Sequence, residues 1–203
     1  MPRRMWSALV ALLGSYAVAS TPGPISDIAS AAYQQIGVTT RYDPSYHEIA
    51  YPGGDVSVAV GACTDVIVRA LREARHIDLQ REVHEDMVAH RDAYPKRWFQ
   101  FGLAVNSSID HRRVPNLMSY FSRRGYALPI SDAADDYRPG DIVAWNLSGR
   151  ILHIGIVSNS RDRDGYPLVV HNNGQGVKEE PILFRYKIIG HYRVPSTRKS
   201  AHQ

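Results

Sequence analysis

The sequence predicts an α+β domain, and three observations carry the prediction. Apolar residues recur at helical spacing through roughly the first two thirds of the chain. The period drops to two after Pro139-Gly140. Turn-forming clusters then cut the remainder into short strands with short connections. Helices followed by strands make an α+β order, and short connections make the sheet antiparallel, with about five strands.

The elements follow in chain order. Residues 25–36 place Ile25, Ile28, Ala29, Ala32, Tyr33 and Ile36 on one helical face; Ser26 or Asp27 supplies the cap and Gly37 the stop. Residues 39–55 form a loop holding Pro44, Pro52, Gly53 and Gly54. A second helix spans 63–74, with Val66, Ile67, Ala70 and Leu71 inward. A third covers 77–90, with Leu79, Val83, Met87 and Val88 inward. Residues 92–114 are irregular and polar, and Tyr94 and Trp98 there would suit the wall of a cleft. Residues 115–124 make a short helix ended by Gly125. Five strands follow at 141–145, 152–157, 167–171, 182–185 and 188–194.

The ends of the chain read differently. Arg3 and Arg4 precede an apolar run over 6–18, and Ala17-Val18-Ala19 has small residues where a signal peptidase cuts. Residues 1–19 are therefore expected to be a cleaved secretory signal, 20–24 a linker, 25–195 the domain and 196–203 a flexible tail. With no cysteine at the cleavage position directly after the apolar run, a lipoprotein is excluded. Cleavage leaves 184 residues, enough for one domain with a real core, and no second segment long enough to span a bilayer. The formal charge of +4 falls to +2 once Arg3 and Arg4 leave, too mild a balance to argue for nucleic acid. The expected location is the periplasm or the medium, and the expected state a monomer.

The chain holds one cysteine, Cys63, at the expected start of the second helix. An exported chain with a single cysteine cannot staple itself, so the thiol either pairs with another molecule or reacts. Most lone cysteines are small buried hydrophobes. Against that, unpaired N–H groups and the helix dipole favour thiolate at this position. His153 lies in an apolar strand, where a polar group needs a partner. His171 ends the next strand beside Asn172. A helix start packed against these strands can bring thiol, imidazole and a third polar group together, the set cysteine hydrolysis needs. His171 or Asn172 serves as the third group; the other would face substrate.

Other polar residues have two readings each. Asp65, in the first turn of the helix, either compensates the dipole or orients a substrate amine or a nearby basic loop, and its charge opposes thiolate formation. Arg112, within His111-Arg112-Arg113, either grips a substrate carboxylate or pairs with Asp110, Asp135 or Asp136. His84-Glu85-Asp86 reads as packing and capping. No metal-binding spacing such as His-Glu-x-x-His occurs; Cys63, His153 and His171 could hold zinc only with a fourth ligand the sequence does not offer. No cofactor is expected.

The stretches Pro139-Gly140-Asp141-Ile142-Val143-Ala144-Trp145, His153-Ile154-Gly155-Ile156-Val157 and Val169-Val170-His171 resemble the core of the NlpC/P60 peptidases, which are papain-like. The order of Cys63, His153 and His171 is that of the unpermuted members. The breadth of the chain, about 25–194, resembles the DUF1287 family of exported bacterial proteins. Tyr51-Pro52-Gly53-Gly54-Asp55, Cys63-Thr64-Asp65-Val66, Ile109-Asp110-His111-Arg112-Arg113 and His171-Asn172-Asn173-Gly174 carry it. The resemblance implies a papain-like fold, N-terminal helices packed on the sheet, and a Cys63 nucleophile with His153 as base and His171 orienting it. It also implies a substrate-contacting tyrosine upstream of the nucleophile, for which Tyr51 is the candidate. The flank Ala62-Cys63-Thr64-Asp65 departs from the Asp-Cys-Ser-Gly usual in NlpC/P60 enzymes, which bears on substrate identity. The implied activity is amide hydrolysis of peptidoglycan stem peptides. The alternatives are a binding module for cell wall or protein, and an acyl or peptidyl transferase.

Overall fold

The computed structural model describes residues 26–96, 104–149 and 151–196. The expected signal, the linker, Trp98 and all of the tail but Ser196 lie outside them. Four helices, α1 (Asp27–Tyr33), α2 (Cys63–Arg75), α3 (Leu79–Ala89) and α4 (Val114–Arg123), accompany seven strands. These are β1 (Arg41–Tyr42), β2 (Val60–Gly61), β3 (Ile142–Ser148), β4 (Ile151–Arg161), β5 (Pro167–Asn172), β6 (Val177–Glu180) and β7 (Lys187–Tyr192). The last five form one antiparallel sheet in the order β6-β5-β4-β3-β7. The expected α+β architecture and the five antiparallel strands are present.

Three of the four helices start where a side chain can satisfy an orphan N–H, and α4 starts with Pro115 in its first turn instead. Ser26 caps α1, its Oγ accepting from Ala29 N at 3.4 Å. Asp78 caps α3 by accepting from Gln80 N at 3.1 Å. In α2 the cap residue is Ala62, which has no side-chain oxygen; Asp65 reaches back instead and accepts the Ala62 N–H at 2.6 Å. Helix α2 ends at His76, whose φ of 52° breaks the helical path.

The sheet has two buried faces. Ile142, Ala144, Ile154, Ile156 and Val170 share one core with α1 and α2, where Ala29, Ala32 and Ala70 have no exposure and let backbones approach. Val143, Trp145, Val157 and Val169 pack on the other face against Tyr137, Ile182 and Leu183. Coverage on both sides accounts for the unbroken apolar run at 142–145, which does not alternate.

Several expectations need correction. Residues 182–185 are not a strand. Ile182 and Leu183 are apolar because they cover the second face, and Leu183 O accepts the Trp145 indole N–H at 2.8 Å. The fourth strand of the main sheet is instead β6, whose Lys178, Glu179 and Glu180 conceal it from an apolar-pattern reading. Charge is common on an edge strand, where it discourages pairing with other chains. Tyr33 and Val88 point outward, at the ends of their apolar stripes. Tyr94 is sunk in the core and donates its hydroxyl to Asp86 at 2.6 Å, so it is no cleft wall. The two-residue parallel pair β1–β2 was too short to be read from the sequence.

Candidate active site

Cys63 is the first residue of α2 and is 5% exposed. The backbone N–H groups of Ile154, Thr64 and Cys63 itself lie against its sulfur. Ile154 follows His153 in β4, so thiol and imidazole are anchored to the same point of the sheet. The helix start does not produce the thiolate expected from sequence. Burial pushes the thiol up to about 12, and the Asp65 charge adds to the rise; the three N–H groups only offset part of it. The resting sulfur is therefore a neutral thiol.

His153 sits opposite Trp145 in the β3–β4 register, and the two rings lie 6.0 Å apart. Its Nε2 is 2.9 Å from Nδ1 of His171, with the rings near perpendicular at 83°. Burial, and secondarily the neighbouring His171, pull His153 down to about 3, so it rests neutral. Among the described residues no hydrogen bond falls on its Nδ1. His171 is likewise pulled below the ordinary histidine value by burial, partly countered by Glu180. Gly155 makes room for the pair: a Cβ there would stand 2.8 Å from Val169 Cγ1 and 3.1 Å from His171 Cβ.

Of the two candidates for the third position, His171 is the one bonded to His153, while the Asn172 side chain bonds elsewhere. Asn172 Nδ2 donates to Gly61 O at 2.8 Å, and more weakly to Arg41 O at 3.4 Å. It thereby ties the end of β5 to the β1–β2 pair just ahead of Cys63. The turn after it does the same through Gly176, whose φ is +83° and whose missing Cβ would meet Thr40 C at 2.7 Å. The Val177 N–H donates to Thr39 O at 2.8 Å. Asn172 is fully buried and its amide ties the segment before Cys63 in place.

Asp65 and Arg112 are consumed by each other. Arg112 Nε and Nη2 donate to the Asp65 carboxylate at 3.0 and 2.9 Å, with both side chains at most 3% exposed. The remaining Arg112 donors go to Ser45 O at 2.7 Å and Asp43 O at 3.0 Å. Neither residue is open to a substrate, so both substrate-binding assignments are corrected. The pairing reading is right, with a different partner: Asp110 bonds His84 at 2.9 Å and Asp135 bonds Arg161 at 3.2 Å.

Tyr51 packs on α3: its hydroxyl donates to Glu85 at 3.3 Å and its ring meets His84 edge-on. The tyrosine within the electrostatic reach of Cys63 is Tyr42 in β1. Its phenol is pushed up to about 12 by burial, then by the charges of Cys63 and Asp65. Sequence reading missed Tyr42 because β1 is two residues long. It also missed Glu180, whose Oε2 lies 2.9 Å from Nε2 of His171. The hairpin could have shown it: His171 faces Lys178, which puts Glu180 two residues on along the same face.

Among the described residues no hydrogen bond joins Cys63 to His153: Cys63 packs in the core shared by Ile154 and Val170, while His153 pairs in register with Trp145 of the other face. An imidazole that reached the thiol could take its proton as the sulfur attacks, with the second histidine steadying the imidazolium. Among the described residues no group of three or more His, Cys, Asp or Glu is disposed to hold a metal ion. His153 and His171 turn one nitrogen each toward the other. No described helix is long and apolar enough to cross a membrane.

Comparison with known proteins agrees with this breadth of resemblance. The family model described as a domain of unknown function, DUF1287, matches residues 29–194. The chain is 50% identical over 166 residues to the "Uncharacterized protein YijF" of Escherichia coli (strain K12), covering 82% of this chain and 80% of that protein. The chain belongs to the DUF1287 family.

Proposed function

We propose that this member of the DUF1287 family is an exported cysteine amide hydrolase of the papain-like NlpC/P60 type, acting on peptidoglycan stem peptides. The observation that carries the reading is the 2.9 Å contact from His153 Nε2 to His171 Nδ1, on the strand whose next N–H lies against the Cys63 sulfur. Cys63 attacks the amide carbonyl while His153 Nδ1 takes its proton. The N–H groups of Cys63 and Thr64 at the helix start stabilise the oxyanion. His153 then protonates the leaving amine, and water releases the acyl group. The raised thiol and lowered imidazole values argue against a resting ion pair, so proton transfer and attack occur in the same step. Tyr42, whose phenol feels Cys63 and Asp65, serves as the substrate-contacting tyrosine. Export by the 1–19 signal would put the enzyme, as a monomer, where its substrate is.

One observation favours a second reading. A thiol that is 5% exposed and held up at about 12 is what a binding module with an incidental cysteine would have. Incubating the mature protein and Cys63→Ala with purified peptidoglycan and muropeptides, with products identified by mass spectrometry, decides between them. A new amine and acid from one amide bond, absent with the variant, supports the hydrolase; a rejoined peptide product marks a transferase. No product from folded, reduced protein across several wall chemotypes leaves the binding module.

A further inference from the structure

The histidine pair holds a problem of tautomers. His171 Nδ1 and His153 Nε2 share one hydrogen bond, and either nitrogen could carry its proton. If His153 Nε2 carries it, Nδ1 of His153 is a lone pair and can take the thiol proton. If His171 Nδ1 carries it, His153 must hold its own proton on Nδ1 and is no base. Nothing within the pair itself chooses.

The choice lies at the far end of His171. Its Nε2 is buried and has no aligned hydrogen-bond partner. The acceptor at hand is Glu180 Oε2, at 2.9 Å but off the N–H line, a misalignment that one side-chain rotation removes. The glutamate is 44% exposed on the edge strand β6, so it is free to turn. Lys178, directly opposite His171, carries donors only on its side chain and cannot accept from the Nε2 N–H.

We infer that Glu180 is a positioning residue that fixes the tautomer of both histidines. Its carboxylate holds the His171 proton on Nε2. Nδ1 of His171 is then an acceptor, His153 donates from Nε2, and Nδ1 of His153 is left bare. This deepens the reading of Cys63 and His153 as nucleophile and base and rests on it for its consequence in catalysis, but the tautomers are a property of the resting protein.

The test is 15N NMR of histidine side chains in the whole mature protein, in Glu180→Ala and in Glu180→Gln. The wild type is expected to show His153 and His171 each protonated at Nε2 alone. In Glu180→Ala the pair should become a mixture, with some His153 protonated at Nδ1. Glu180→Gln, whose amide oxygen still accepts, should keep the wild-type pattern. A wild-type His171 protonated at Nδ1 overturns the inference without any variant. A Glu180→Ala spectrum identical to wild type overturns it too. With a muropeptide that the wild type cleaves, Glu180→Ala should lose about tenfold in kcat with KM unchanged, a fraction of the ~10²–10⁴ that base catalysis supplies, and Glu180→Gln should recover it. If no muropeptide is cleaved but the tautomers shift as described, the hydrolase reading fails and the role of Glu180 stands.

Discussion

Two buried histidines on the strands that flank β3 show opposite wiring. His191 in β7 is 2% exposed and has both ring nitrogens bonded: Nε2 to Asp141 at 2.7 Å, Nδ1 to Pro129 O at 3.2 Å. Its ring stacks on Tyr137 at 4.3 Å, and Arg193 clamps the same Asp141. His153 in β4 is 3% exposed, with Nε2 bonded and no hydrogen bond on Nδ1 among the described residues. Burial is the same and only the use of the second nitrogen differs. A saturated imidazole stabilises the fold; one that keeps a lone pair can accept a proton.

The contrast is broken most forcefully by removing the two rings in turn. His153→Ala should lower kcat/KM on a cleaved muropeptide by ~10²–10⁴ per folded molecule, beyond the ~1–3 kcal/mol of stability lost when buried His171 Nδ1 is left without its partner. His191→Ala leaves Asp141 with less support and should cost a similar ~1–3 kcal/mol in urea denaturation, with activity per folded molecule unchanged. Equal loss of activity per folded molecule in the two variants would erase the distinction.

The Asp65–Arg112 pair extends the comparison to the helix start. Asp65→Ala strands a buried guanidinium and removes the acceptor for the Ala62 N–H, and should cost about 3–5 kcal/mol of stability by the same measurement. A substrate-binding Asp65 would instead raise KM with stability intact.

Acid titration is the next effect down. Burial holds His111 at about 4 against an ordinary 6.5, and His153 at about 3. The unfolded chain takes up these protons first, so stability falls as pH drops below 6.5 and the loss completes near pH 3–4. For His111 the loss is about 3 kcal/mol as an upper bound. Urea midpoints at pH 7, 5.5 and 4.5 should decline steadily, and His111→Gln should flatten the decline if it folds like the wild type. The smallest expected effect is Tyr42→Phe, about a fivefold rise in KM for one lost hydrogen bond, against no change for Tyr51→Phe.

Much of this was legible in the sequence. The change of period at Pro139-Gly140 marked the layer order, and Cys63, His153 and His171 fell at element starts and ends, where chemistry is easiest to see. What stayed hidden depends on contacts distant in sequence. Arg112 finds Asp65 across 47 positions, and no local pattern distinguishes it from Asp110 beside it. The helix dipole at Cys63 was visible, while the burial that outweighs it belongs to the packing of β4. Strand β6 hid behind its charges, and Glu180 with it.

The most direct measurement of the central claim is the intact mass of the protein, acid-quenched milliseconds after mixing with a muropeptide. Cys63 is the only thiol in the chain, so a thioester has one place to form. The account predicts an added mass equal to the acyl fragment, carried by wild type and absent from Cys63→Ala and His153→Ala. Cleavage that proceeds in Cys63→Ala, with no adduct in either protein, would contradict it.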